Sequence, residues 1–268
     1  MSQASQAVPA PNSILIGTVA LEPNRWGAIS QDRKPSIGTG DWLKEAEAAR
    51  FDGIELWEHH AMFGSDSEVA QLQGSRLPLA IFSSYVSFDD PDDAARDRVA
   101  GWVERLGCGA VKFNVGNDAG AVDAYVERIT RFASKLPPDT RLICECHAGT
   151  LAEDPSVAAS ILSAVAGPER AQALVHLGDD PQHLDAMFEA LGKRITHVHV
   201  NFLAQGAPLL ESIEEDVRSR ISRVRSHGFV GSYTIEFVSG VGKDTDRPEQ
   251  LIKAAARDLA LLRMVIAS

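Results

Sequence analysis

Short apolar segments alternate with longer amphipathic segments along almost the whole chain. The apolar segments are five or six residues long, rich in Val, Ile and Leu, and bounded by polar or glycine residues, which is typical of buried parallel strands. Each is followed by a segment in which apolar residues recur with helical spacing. The predicted strands cover residues 14–19, 53–57, 79–84, 110–115, 141–146, 173–178, 195–200 and 232–237.

Eight consecutive strand–helix units without a break in composition predict one (β/α)₈ TIM barrel, an α/β single domain over residues 14–268. A flexible polar tail, residues 1–13, precedes it. An open doubly wound sheet is the alternative, but no G-x-G-x-x-G motif follows the first strand. The connection at residues 21–40 is long for a loop between strand and helix, so we expect it to cover the barrel mouth as a lid.

Composition narrows the partners that the barrel can have. The chain of 268 residues has a formal net charge of -11 and a pI near 5.2, which disfavours nucleic acid and anionic membranes. No apolar run approaches the roughly 18 residues that cross a bilayer, and the first residues lack the pattern of a signal peptide. Cys144 and Cys146 lie two apart in one strand, a poor geometry for a disulfide. We therefore expect a cytoplasmic protein.

Ionisable residues occupy alternating positions in several of the predicted strands. Glu145 and His147 share one face of the fifth strand, whereas Cys144 and Cys146 share the other, which faces the helices. A buried carboxylate is costly unless it is paired, protonated or bound to a metal. The same reasoning applies to other residues on inward faces, namely Glu55, Lys112, His197, His199, Asn201 and Glu236.

The segment LGDDPQHL places Asp180 and His183 after the sixth strand. Asp180 alone is explained as the N-cap of a helix whose first residue is Pro181. Together with Glu145, His199 and Glu236, however, it completes a set of two Glu, one Asp and one His from four consecutive strands. Such a mostly oxygen ligand set suits one divalent ion, Mn²⁺ first, with Mg²⁺ or Co²⁺ as alternatives.

Several motifs resemble those of the xylose isomerase-like TIM barrels, the superfamily of sugar isomerases and epimerases, inosose-handling enzymes and endonuclease IV. The motifs are E-x-H-x-G-T at 145–150, D-P-x-H at 180–183, H-V-H at 197–199, T-I-E-F at 234–237 and G-I-E-L at 53–56. The resemblance implies that one divalent metal is bound by Glu145, Asp180, His199 and Glu236. It also implies that His183 contacts the substrate beside the metal.

Six further residues are expected to line the substrate site: Glu55, His59, Lys112, His147, His197 and Asn201. Two alternatives remain open here, a hydrogen-bonded core histidine at His197 and a structural ion pair between Lys112 and Glu55. Relatives in the superfamily often have a charged pair after H-x-H, whereas this chain has Val-Asn-Phe there. Because Asn201 binds a hydroxyl better than a phosphate, the expected substrate is not phosphorylated.

The predicted activity is a metal-dependent isomerase or epimerase acting on a sugar, keto-sugar or cyclitol through an enediolate. Glu145 and Glu236 would exchange the proton, as the resemblance suggests for epimerases, and His183 would stabilise charge on oxygen. The alternative is a dehydratase or lyase acting on an inosose, dehydroshikimate or a 3-oxo-glycoside, with His147 or His59 as the acid.

Two further classes are less favoured by the sequence. An endonuclease IV-like hydrolase needs further metal ligands and a basic surface for DNA, and the charge of -11 opposes it. A non-catalytic sugar-binding module has no need of four metal ligands. Exposed aromatic residues near the mouth are compatible with a homo-oligomer.

Overall fold

Eight parallel strands close into a barrel in the order β1 to β8, with β8 paired to β1. The computed structural model describes residues 9–23, 32–238 and 246–268. The prediction of a single-domain (β/α)₈ TIM barrel is confirmed. The strands are β1 Ile14–Gly17, β2 Gly53–Trp57, β3 Leu79–Ser83, β4 Ala110–Phe113, β5 Arg141–Glu145, β6 Ala171–His176, β7 Ile195–Val200 and β8 Ser232–Ile235.

An outer layer of helices covers the barrel. In the described part they are α1 Thr39–Ala49, α2 Glu58–Met62, α3 Asp66–Gln73, α4 Ala94–Leu106, α5 Val122–Lys135, α6 Pro155–Val165, α7 Pro181–Leu191, α8 Glu214–Ser226 and α9 Pro248–Ala267. None of the helices within these described ranges combines the length and the apolarity that a membrane crossing requires. The predicted tail and lid lie partly outside the described residues, which exclude 1–8 and 24–31.

The core has two parts, because alternate residues of each strand face the helices or the barrel axis. Cys144 and Cys146 face outward into the large core between strands and helices, as predicted, and both are free thiols. A smaller apolar cluster fills the barrel axis with Leu15, Ala80, Ile81, Ala110, Ile143 and Leu174. The polar residues on the same inward faces therefore lie at its two ends.

Asp258 is a buried carboxyl group that connects α9 to the loop after β7. Its Oδ1 accepts a hydrogen bond of 2.9 Å from the Leu210 backbone N–H, whereas Oδ2 is buried without a partner among the described residues. Burial raises the pKa of Asp258 from 3.8 to about 7. In the unfolded chain the group ionises first, so the folded state loses stability as the pH rises from about 4 to 7.

Replacing Asp258 with Asn is expected to stabilise the protein most at alkaline pH. Asn keeps an oxygen for the Leu210 N–H and removes the ionisation. The gain in free energy of unfolding over the natural chain should be about 2–3 kcal/mol larger at pH 8.5 than at pH 5. Urea unfolding at both pH values measures it, with exposed Asp139→Asn as the control, for which no such pH dependence is expected. An equal gain at both values would contradict the burial argument.

Candidate metal centre

Four side chains converge where strands β5 to β8 end. Glu145 and His176 are the last residues of β5 and β6, His199 is the fifth residue of β7, and Glu236 directly follows β8. Each offers one ligand atom, and these atoms all lie within 4.8 Å of one another. All four side chains are buried. We call this group of two carboxylates and two imidazoles the metal cluster.

A further carboxylate lies beside the second ring nitrogen of each imidazole in the metal cluster. The Nε2 atom of His199 donates to the two oxygens of Glu55, at 3.1 and 3.0 Å. The Nδ1 atom of His176 lies 3.8 Å from Asp179 Oδ2. Carboxylates in this position orient metal-binding histidines and fix which ring nitrogen carries the lone pair.

The other ring nitrogen of His199 shows that the cluster fits a metal ion. Its Nδ1 is buried 3.2 Å from Glu236 Oε2 and 3.6 Å from Glu145 Oε1, yet it makes no hydrogen bond to a described residue. A cation bound at this position would have this nitrogen and the two carboxylates as ligands at once. Two oxygen and two nitrogen ligands suit a borderline divalent ion such as Mn²⁺ or Co²⁺ better than Mg²⁺.

Glu145 is held by hydrogen bonds on both of its oxygens. Oε2 accepts from Lys112 Nζ at 2.5 Å and Asn114 Nδ2 at 2.9 Å, and Oε1 lies 3.2 Å from His176 Nε2. Burial alone would raise the pKa of Glu145, but the Lys112 ammonium and the two imidazoles hold it well below its usual value. Glu145 is therefore an ionised ligand and a weak base.

Glu236 is held on one side only. Its Oε2 accepts a hydrogen bond of 2.8 Å from Asn201 Nδ2, whereas Oε1 receives none from the described residues. Burial would raise the pKa of Glu236, but His199 and His176 lower it. One oxygen is thus oriented by Asn201 and the other is available at the wall of the pocket that Glu236 lines.

The charges of the cluster balance without a metal. Burial would lower the pKa of both imidazoles, but Asp179, Glu145 and Glu236 raise that of His176 to about 9. Glu55 and Glu236 together raise the pKa of His199 well above its usual value. At neutral pH two imidazolium ions thus compensate carboxylates in the place where a dication would bind.

Metal binding is therefore expected to release protons and to strengthen as the pH rises from 6 towards 9. Each imidazolium must lose its proton before it can act as a ligand, so up to two protons leave per metal ion. Affinity should rise about tenfold to a hundredfold per pH unit below the pKa of His176. Calorimetric titration with Mn²⁺ in buffers of different ionisation enthalpy measures both quantities. Proton-independent binding with a constant affinity would contradict the assignment of the two histidines as ligands.

A pocket of about 260 Å³ lies over the metal cluster at the barrel mouth. Its volume suits a small polar molecule of about the size of one sugar ring. His147 lies at its edge, exposed, and its Nδ1 donates to the Ala148 carbonyl at 2.6 Å, so Nε2 is the nitrogen left for a ligand. The lining consists of Val19, Tyr85, Asn114, Glu145, His147, Thr150, Asn201, Leu203, Glu236 and Phe237.

The structure brings Glu145, His199 and Glu236 together but places Asp180 elsewhere. Asp180 is exposed and accepts the backbone N–H groups of Gln182 and His183, at 2.9 and 3.2 Å. It is thus the N-cap of α7, which begins at Pro181. The place expected for Asp180 in the metal cluster is taken by His176. His183 is half-buried in the first turn of α7 and is not part of the described pocket lining.

Of the residues expected to line the substrate site, His147 and Asn201 lie at the pocket and the others do not. Glu55 lies beneath the metal cluster against His199. His197 is a hydrogen-bonded core residue, with Nδ1 2.7 Å from Ser232 Oγ and Nε2 2.8 Å from Thr234 Oγ1. Lys112 pairs with Glu145, so the structural ion pair with Glu55 that the sequence left open is not formed.

His59 lies away from the metal cluster. Its ring packs on Trp57 with centroids 4.4 Å apart, and its Nδ1 donates to the Arg33 carbonyl at 2.7 Å. It lines a second cavity beside α4 and takes no part in the lining of the pocket over the metal cluster. In this position His59 connects the start of α2 to the β1–α1 loop.

The sequence analysis did not identify two residues whose side chains contact Glu145, namely His176 and Asn114. Both follow the alternation that identified the others, because His176 shares a face with Gln172 and Leu174, and Asn114 shares one with Lys112. The D-P-x-H motif, by contrast, begins at Asp180, four residues past the end of β6. Reading the sixth strand by alternation alone would have found His176.

Comparison with known structures agrees with this geometry. The 3-keto-D-glucoside 4-epimerase of E. coli matches with a TM-score of 0.58 and 12% identity, over 94% of this chain and 99% of that one. Endonuclease IV of Thermus thermophilus matches with a TM-score of 0.61 and 16% identity, over the same shares of the two chains. The chain shares the (β/α)₈ barrel fold of these two proteins. The fold expected from the motifs is confirmed, and likeness at these identities establishes the fold alone.

No protein-family model and no curated protein matches this sequence.

Proposed function

We propose that this barrel is a divalent-metal-dependent isomerase or epimerase of a non-phosphorylated sugar, keto-sugar or cyclitol. The observation that carries the proposal is the metal cluster itself, with His199 Nδ1 3.2 Å from Glu236 Oε2 and 3.6 Å from Glu145 Oε1, beneath a pocket of sugar size. The barrel mouth is where enzymes of this architecture place their chemistry. A binding module would not need buried ligands of this kind, since burying them is costly.

A bound dication would polarise a substrate carbonyl and so acidify the neighbouring C–H group. Glu236 is the residue placed to take that proton, because its Oε1 is free of hydrogen bonds from the described residues and it lines the pocket. Asn201 fixes the direction of the carboxylate. Glu145, kept ionised by Lys112, is better suited to holding the cation than to holding a proton. This division of roles refines the symmetric roles expected from the sequence.

The pocket also supports an uncharged substrate. None of the residues in the described lining is a Lys or Arg, so a phosphate group would find no cation there other than the metal. The side chains of Asn114, Thr150 and His147 offer hydrogen bonds suited to hydroxyl groups instead. A nucleic acid or membrane partner is opposed by the net charge of -11.

The position of His147 favours one alternative, a dehydratase or lyase acting on a related keto-sugar, inosose, dehydroshikimate or 3-oxo-glycoside. In the imidazolium form of His147, with Nδ1–H still donating to the Ala148 carbonyl, the Nε2–H at the edge of the pocket could give its proton to a leaving oxygen. Proton removal by Glu236 would be the same in both reactions. The two differ only in whether a group next to the carbanion departs.

Proton NMR in D₂O distinguishes these reactions. The Mn²⁺-loaded protein is incubated with a panel of keto-sugars, inososes and 3-oxo-glycosides, and metal-stripped protein serves as control. Deuterium incorporation next to the carbonyl without loss of water or aglycone indicates an isomerase or epimerase, and loss of either indicates a lyase. The proposal is wrong if no compound exchanges, or if stripped protein exchanges equally fast.

A further inference from the structure

A separate cavity, of about 500 Å³, lies at the end of the barrel opposite the metal cluster. It is bounded by the first residues of β5, β7 and β8, and by the turns that precede β7 and β8. Arg141 begins the strand that Glu145 ends, so the two sites are separated by roughly 13 Å along β5. We call this the floor cavity.

Arg141 is the feature of the floor cavity that requires explanation. By alternation along β5 it faces the barrel axis, on the same side as Ile143 and Glu145. Its Nε is buried and makes no hydrogen bond to a described residue, and no described carboxylate forms an ion pair with its guanidinium. Burial accordingly lowers the pKa of Arg141, with no compensating acid.

The other half-buried or buried arginines among the described residues are all paired. Arg96 donates to Asp93 and to backbone carbonyls, Arg194 donates to the Ala166 and Ala171 carbonyls, and Arg220 donates to Asp216. The segments outside the described residues contain a single acid, Asp244. A half-buried guanidinium whose Nε is buried without a partner is costly, and this points to a partner that the described residues do not supply.

The rest of the floor cavity suits an anion. Its described lining includes Lys193 and contains no Asp or Glu. His227, the other basic group, is already paired with Asp185 at 2.8 Å. Apolar walls formed by Phe188, Ile195 and Phe229 lower the local polarity and so strengthen an ion pair inside. The flat fork of a guanidinium binds carboxylate or phosphate oxygens in pairs.

We propose that the floor cavity binds a small polyvalent oxyanion, with Arg141 as its principal ligand and Lys193 at its rim. The chemistry is shared by inorganic phosphate and by small dicarboxylates. This site is separate from the metal cluster and does not depend on the proposed reaction.

Calorimetric titration with phosphate, sulfate or malonate, at ionic strength held constant with NaCl, tests the site. We expect one anion per chain, and at least tenfold weaker binding for Arg141→Met, which keeps the length of the side chain without the charge. Arg76→Met is the matched control, because Arg76 is exposed in the turn before β3 at the same end of the barrel. It should bind within twofold of the natural chain. Stronger binding of sulfate and phosphate than of malonate identifies a phosphate-type site, and the reverse a carboxylate-type site.

Thermal unfolding in anion-free buffer gives a second, independent readout. Removing the half-buried charge of Arg141 with its unpartnered Nε should leave the melting temperature of Arg141→Met equal to or above that of the natural chain. Added phosphate should raise the melting temperature of the natural chain only. Equal anion binding by both proteins overturns the proposal. So does an Arg141→Met protein that is destabilised or unfolded without anion, because Arg141 would then have a structural partner.

Discussion

Replacing Glu236 with Gln is expected to lower turnover at least a thousandfold and to weaken metal binding at least tenfold. Gln has the same shape and can still accept the hydrogen bond from Asn201, so the pocket should keep its form. It cannot take a proton, and loss of a positioned general base typically costs about 10²–10⁴ in rate. It also removes one of the two negative charges that face His199 Nδ1. Deuterium exchange and Mn²⁺ titration measure the two effects.

Glu58→Gln is the matched control for this variant. Glu58 is also a buried glutamate near the barrel mouth, at the start of α2, where it accepts hydrogen bonds from Ser84 Oγ and Tyr85 N–H, each at 3.0 Å. Burial raises the pKa of Glu58, against the lowering effect of its hydrogen bonds from Tyr85 N–H and Ser84 Oγ. It contributes no atom to the metal cluster. We expect metal affinity within twofold of the natural chain. Full activity of Glu236→Gln would end the proposed mechanism.

His176→Ala is expected to weaken metal binding at least a hundredfold, equivalent to about 2.7 kcal/mol. The substitution removes one of four ligands and leaves Glu145 Oε1 without its imidazole neighbour at 3.2 Å. The variant should also lose part of the proton release on binding, since His176 carries one of the displaced protons. Competition against a fluorescent chelator measures the affinity.

Asp180→Ala is the companion experiment, because the sequence motif assigned the ligand role to Asp180. Metal affinity should stay within twofold, since the carboxylate caps α7 away from the cluster. The free energy of unfolding should fall by about 1 kcal/mol, the usual effect of losing an N-cap. A large loss of affinity for Asp180→Ala together with normal binding by His176→Ala would reverse our assignment.

The barrel could be predicted from the sequence because its signal is repeated eight times. Each strand–helix unit carries its own periodicity, and errors of a few residues at element ends do not alter the count. The inward residues could also be predicted, since alternation fixes the face of every strand residue. Glu145, His199 and Glu236 were found in this way and lie together in the structure.

Alternation does not determine how far along the barrel axis a residue lies. This is why the sequence analysis placed His197 in the substrate site. It shares a face with His199 but lies two residues nearer the barrel floor. There its two ring nitrogens form hydrogen bonds with the hydroxyl groups of Ser232 and Thr234. Depth depends on the register between neighbouring strands, such as His199 beside Thr234. A single sequence gives no direct measure of that register.

Asp180 shows how a local preference can outweigh a motif. An Asp directly before a Pro that starts a helix can accept hydrogen bonds from two free N–H groups at once. These two hydrogen bonds hold the Asp180 side chain at the start of α7, away from the barrel axis. The partner of Lys112 was predictable in principle, because β4 and β5 are neighbours whereas β2 lies two strands from β4. Lys112 therefore reaches Glu145 and not Glu55.

Anomalous diffraction from a crystal soaked in Mn²⁺ is the most direct test of the central claim that the cluster is a metal centre. We predict one strong peak within coordination distance of Glu145, His176, His199 and Glu236, with Glu55 outside the coordination sphere and hydrogen-bonded to His199. A crystal with no peak there, or with its peak at Asp180 and His183, would contradict it.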